Sequence, residues 1–127
     1  MNGLIIAEPW ISCIINGHKT WEMRSRNTRM RGRIALIRKG SKTVVGVADL
    51  VCTLPKLSQA KLRECVDKHR VPENQIGEDF KHNTAWVLER ARSLSRPVPY
   101  LHSAGAVIWI KLDAEVTAAI ERQLGDI

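Results

Sequence analysis

The apolar residues of this chain come in short runs, and none is long. "GLIIA" at 3–7, "RIALIRK" at 33–39, "TVVGVADLVCTL" at 43–54, "TAWVLERARSL" at 84–94 and "GAVIWIKL" at 105–112 read as strands. None approaches the ~20 apolar residues that a bilayer-spanning helix needs. A further stretch, "KTWEMRSR" at 19–26, alternates, with Trp21 and Met23 on one side and Thr20, Glu22, Arg24 and Arg26 on the other. "NTRMRG" and "GSK" are turns between strands, and "RPVPY" at 96–100, with two prolines, must be extended or turning.

Helical patterns interrupt these strands. Pro9 suits the first turn of a helix carrying Trp10, Ile11, Ile14 and Ile15, with Gly17 as its stop. Ser58 caps "SQAKLRECVDKHR", where Leu62, Cys65, Val66 and His69 share one face. "VPENQIGEDF" is either a second short helix or an ordered loop. Asp113 caps a last helix over roughly 113–125 bearing Val116, Ile120 and Leu124, with Gly125 at its end. Regular strand–helix alternation is missing, as is any phosphate-binding glycine pattern. Five or six short strands broken by helices imply an α+β domain over 1–127, built on a small, curled, mostly antiparallel sheet.

At 127 residues, with 44% hydrophobic and 26% charged, the chain can bury a core without disulfides or metal. Cys13, Cys52 and Cys65 lack CxxC spacing and sit among apolar neighbours, so free buried thiols are expected. His18, His69, His82 and His102 form no ligand spacing, and neither metal nor cofactor is expected. "MNGLIIAEPW" lacks a basic start and a long enough apolar run for a secretory signal, so the cytoplasm is the expected location. The net charge of +7 favours polyanionic partners. Residues 18–42 are dense in Lys and Arg and hold one acid, Glu22. That cluster is either a phosphate-facing surface or a solvated basic face.

The charged face of "KTWEMRSR" has two readings. It can line a cleft, with Arg24 and Arg26 offering donor forks and Glu22 accepting from a base amino group or holding its basic neighbours. It can equally be a structural ion-pair ladder of Glu22 with Arg24 or a neighbouring strand. Trp21 and Trp109 sit on apolar strand patterns and are expected in the core, Tyr100 between prolines is expected to pack, and the pattern does not decide Trp86. Trp10 begins the helix beside Lys19 and can wall a pocket.

"PW" at 9–10, "NGHKTWEMR" at 16–24 and "TRMRGRIAL" at 28–36 resemble the ASCH domain, through Gly17, Lys19, Thr20, Glu22, Arg24, Thr28, Arg31 and Gly32. "GVADLV" and the closing stretch to Leu112 extend the resemblance over roughly 4–112. It implies a PUA-like fold, a small β-barrel flanked by helices with a cleft beside the first helix. It also implies binding of RNA or a modified nucleoside. Trp10, Lys19, Thr20, Glu22 and Arg24 would serve that cleft, with Arg26, Arg29 and Arg31 on its basic rim.

One branch of the family resembles amidohydrolases of N(4)-acetylcytidine, and ribonuclease activity is proposed for another. As a hydrolase, the chain would use Lys19 and Glu22. Amide hydrolysis needs a base for water and an acid for the departing amine, and a lysine whose pKa burial depresses can serve. The amidohydrolase branch carries a threonine where this chain has Glu22, and a further glutamate in its helical insert, for which Glu64, Glu73 and Glu78 are alternative candidates here. An interaction module without a small ligand, its positive charge serving solubility, is the third reading.

Overall fold

Two of the apolar runs hold consecutive apolar residues, at 4–6 and 34–37, because both of their faces are covered there. In the computed structural model, which describes residues 1–125, the first is β1 (Asn2–Ile6) and the second β3 (Gly32–Arg38), paired in parallel with Leu4 opposite Leu36. The last two positions of the expected 1–127 unit lie outside the described residues. Leu4, Ile6, Ile34 and Leu36 face helix α1 (Trp10–Ile15) and pack on its Ile11 and Ile14. Ile5, Ala35 and Ile37 point the other way, into a second cluster that Ile120 of the terminal helix joins. A strand buried on both sides reads as a continuous apolar run.

The other strands are β2 (Trp21–Arg24), β4 (Thr43–Thr53), β5 (Thr84–Pro99) and β6 (Trp109–Lys111). They form one sheet in the order β2-β5-β4-β3-β1-β6, antiparallel except for β1 with β3. Three register shifts between β4 and β5 bend these long strands, so that the sheet curls into a half-barrel. A helical insert follows β4: α2 (Gln59–Glu64), α3 (Val66–His69) and a 3-10 turn at Glu73–Gln75. Its Leu62, Cys65, Val71 and Ile76 cover Trp21, Met23 and Ala85 as a third cluster. Helix α4 (Ala114–Gly125) starts at Asp113, whose carboxylate accepts from the Val116 amide at 2.8 Å.

Several expectations change in the folded chain. Strand β2 stops at Arg24, and Thr20 and Arg26 lie outside it, exposed. The helix that Ser58 caps breaks at Cys65 into α2 and α3. Residues 96–99 continue β5, since Pro97 and Pro99 fall beyond its pairing with β2, where a missing N–H costs no ladder bond. Of "GAVIWIKL", Trp109–Lys111 alone is strand, because β1 offers it few partners. Val107 and Ile108 are exposed.

Cys52 is exposed and Cys13 half-buried, and only Cys65 is a buried thiol; the register shift between Leu50 and Cys52 breaks the alternation of β4 that would have put Cys52 beside buried Leu50. Trp21 is core, and Trp109 is half-buried against the first cluster. Tyr100 is packed in the second. Among the described residues, no helix is long and apolar enough to cross a membrane, and no group of three His, Cys, Asp or Glu is placed to hold a metal.

Where β4 crosses between β5 and α1, Gly46 leaves no room for a side chain. A Cβ there would lie 2.7 Å from the Arg92 carbonyl oxygen and 3.1 Å from Ile15 Cδ1. Gly46→Ala should therefore lower unfolding free energy by about 1–3 kcal/mol in urea titration. Gly77→Ala, with nothing within 4 Å, should stay within about 0.5 kcal/mol of the parent. Equal midpoints for the two variants would refute this account of the crossing.

Candidate functional site

Helix α1 ends at Asn16, whose side-chain oxygen accepts from the His18 amide at 3.0 Å, and Gly17 follows with φ +86°. That left-handed residue reverses the chain without a Cβ penalty. The reversal drops Lys19 inward, to 2% exposure. The Lys19 Nζ donates to the His69 carbonyl at 2.6 Å and lies 5.1 Å from the centre of the Trp10 ring.

The acceptor is itself built. The Thr20 amide donates to the Lys68 carbonyl at 2.9 Å, and Arg70 Nε to the His18 carbonyl at 2.7 Å, so three successive residues of α3's end grip the loop. The buried His69 ring receives the Val71 amide on Nδ1 at 2.9 Å, which makes Nε2 the proton carrier, donating to the Leu62 carbonyl at 2.7 Å. Burial lowers the His69 pKa, against the Leu62 hydrogen bond and with the Lys19 charge, and holds the ring neutral.

On β2 the two sides separate. Trp21 and Met23 pack under the insert, while Glu22 and Arg24 reach a cavity of about 420 Å³, whose wall Met23 also joins. Arg24 Nε donates to Glu22 Oε2 at 2.8 Å, and its Nη2 to the Ile5 carbonyl at 2.8 Å. The guanidinium lies 5.5 Å from the centre of the Trp86 ring, which stacks on Trp109 at 5.9 Å and 9°. Trp86 in turn donates to the Arg26 carbonyl at 2.9 Å. The Glu22 carboxylate is thus held by one oxygen; the other takes no hydrogen bond from a described residue. The ion pair and the cleft wall are the same residues.

Trp10, Lys19, Glu22 and Arg24 all line the cavity. Thr20, Arg26, Arg29 and Arg31 stand outside its wall, exposed. Arg31 spends its donors on the Thr28 and Met30 carbonyls and the Thr53 hydroxyl, ordering its own loop. Glu64, Glu73 and Glu78 are exposed and do not line the cavity. From the insert come Val71, Gln75, Phe80 and His82 instead, and Lys39 joins from the β3–β4 turn. No sequence signal marks these five, because the fold of the insert over β2 brings four of them in. His69 was legible only as an apolar-face residue.

Burial pushes the Lys19 pKa down to about 8, with Glu22 and Cys13 pulling it up and Arg24 pushing it further down. The arrangement offers a carboxylate acceptor, a lysine near neutrality, and aromatic faces at Trp10 and Phe80.

The ASCH domain family model matches residues 4–98. The crystal structure of ASCH from Zymomonas mobilis superposes with a TM-score of 0.70 at 18% identity, covering 99% of this chain and 94% of that one. A serine-to-alanine variant of that protein gives 0.72 at 19%, covering 95% and 94%. A tyrosine-to-phenylalanine variant gives 0.72 at 19%, covering 95% and 96%. At these identities the likeness is one of fold, an α+β, PUA-like half-barrel. Comparison with curated proteins gives no match.

The Lys19 pKa has a measurable consequence for stability. Its ordinary value is 10.5, so between about pH 8 and 10.5 the unfolded chain holds a proton that the folded chain has released. Stability from this group therefore rises with pH across that window, by about 3 kcal/mol. Below pH 8 both states are protonated and the cost of the buried charge is fully present. Denaturation of the parent and Lys19→Met from pH 7 to 11 should show this rise in the parent alone. Parallel curves would place the Lys19 titration elsewhere.

Proposed function

Because the chain belongs to the ASCH domain family, we propose that it binds RNA by taking one nucleoside into the cavity beside Glu22. The phosphates on either side would lie on the basic surface around it. The observation that carries this reading is the Glu22 carboxylate, fixed through one oxygen by Arg24 at 2.8 Å and taking no hydrogen bond on the other from any described residue. A carboxylate held in that way accepts from the exocyclic amino group of a base. The cavity, at about 420 Å³, falls in the range of small-ligand sites. Trp10 and Phe80 offer ring faces, and stacking of a base contributes ~1–3 kcal/mol. Outside the wall, Arg26 and Arg29 are exposed cations suited to phosphate. A cytoplasmic setting, where thiols stay reduced, suits the three free cysteines.

Titration with labelled single-stranded RNA and with free nucleosides tests this. Glu22→Gln should weaken both on the order of tenfold, with the nucleoside loss insensitive to salt. Arg29→Ala should weaken RNA alike across sequences and flatten the salt slope by about 0.7, leaving nucleoside binding unchanged. Unaltered nucleoside affinity in Glu22→Gln would remove the base from this cavity.

One observation favours a second reading, a hydrolase at the same cavity. With a pKa of about 8, about a tenth of Lys19 is neutral at pH 7, enough for a base. Neutral Lys19 would take a proton from water as the oxygen attacks the acyl carbon of an N(4)-acylated cytidine. The C–N bond would then break, the amine leaving with a proton returned from Lys19. Incubating acylated cytidines and short RNAs with the parent and Lys19→Ala, products read by chromatography, separates the readings. Turnover in the parent that the variant loses makes the chain an enzyme; no turnover in either leaves binding alone.

A further inference from the structure

A second cavity, of about 330 Å³, lies behind one wall of the first: Ile5, Lys39 and Val107 line both. We propose that this second cavity takes the base of the neighbouring nucleotide, so that the chain holds two consecutive nucleotides with their linking phosphate on Lys39. This rests on the reading that a base occupies the first cavity.

The lining of the second cavity is of two kinds. Ile5, Ile37, Ala106 and Val107 make an apolar wall, fit for the face of a base. Tyr100 and His102 also line the cavity, hydroxyl to Nδ1 at 3.0 Å. If the hydroxyl donates to Nδ1, His102 Nε2 carries a hydrogen; if Nδ1 donates, the hydroxyl hydrogen is released. Either tautomer therefore keeps one donor for a base nitrogen or carbonyl. An apolar face with one or two placed polar groups is the usual make-up of a small-ligand site.

The cations fall where a strand would need them. Lys39 is exposed on the shared wall, its own amide tied to the Ile6 carbonyl at 2.9 Å. A phosphodiester joining bases in the two cavities must pass this wall. Lys42 flanks the second cavity, held at φ +56° in the turn whose carbonyl receives the Tyr100 amide at 3.3 Å. Val107, the other shared residue, is 75% exposed. A bare valine between two openings is apolar surface that a stacked dinucleotide would cover. The two lysines favour this occupant over an apolar protein side chain, which would leave both cations unused.

The test compares nucleoside 3′-monophosphates with the matching dinucleoside monophosphates by calorimetry, on the parent, Lys42→Ala and His102→Ala. In the parent the dinucleotide should bind at least about tenfold more tightly than the mononucleotide. Each variant should lose most of that gain while keeping the parent's mononucleotide affinity, since neither residue lines the first cavity. Equal affinities in the parent, or a gain that survives both substitutions, would overturn the second subsite and leave the first standing. Absence of any mononucleotide or dinucleotide binding would overturn the first reading, and this one with it.

Discussion

A buried ammonium organises this protein. Taking a lysine to 2% exposure costs several kcal/mol of hydration, and Lys19 recovers part of it from the His69 carbonyl at 2.6 Å, the ring of Trp10 and the field of Glu22. None of those partners exists locally in sequence except Glu22. The carbonyl requires α3 to end at His69 and Arg70 to turn left-handed, at φ +61°. The neutral His69 ring pins that end through Val71 and Leu62. The seam that joins the insert to the α1–β2 loop is therefore also the mount of the site's lysine.

The sheet explains why charge can sit on β2 at all. Both faces of β1 and β3 are covered at 4–6 and 34–37, by α1 on one side and α4 on the other, so those stretches hold apolar residues. Strand β2 is at the end of the sheet, paired with β5 alone, and the insert covers just its Trp21 and Met23 side. Its other side opens to the cavity. Arg24 closes the arrangement by bonding Glu22 and the Ile5 carbonyl over the stacked Trp86 and Trp109, tying β2 to β1 across the curl of the sheet.

Much of the architecture was legible because it follows from local patterns. The strand runs, the Ser58 and Asp113 caps, the Gly17 reversal and the mostly antiparallel pairing all rest on short-range backbone chemistry. Boundaries were less legible where pairing partners decide them. The prolines at 97 and 99 stay in β5 because they lie beyond its pairing with β2, and "GAVIWIKL" shrinks to three strand residues because β1 is short. Cys52 looked buried from its apolar neighbours, but the register shift after Leu50, set by pairing with β5, breaks the alternation there.

By itself the sequence determined the alternation on β2, which puts Glu22 and Arg24 on one side and two core residues on the other, and the glycine turn that aims Lys19 inward. Those are consequences of a period of two and of a positive φ, and both act within a few residues. Tertiary structure alone decided that Gln75, Phe80 and His82 face these residues, that Glu64, Glu73 and Glu78 do not, and that Tyr100 and His102 border a second cavity. Their positions depend on how the insert and the 101–108 loop lie on the curled sheet. That packing is set by apolar surfaces distant in sequence, which no local period records.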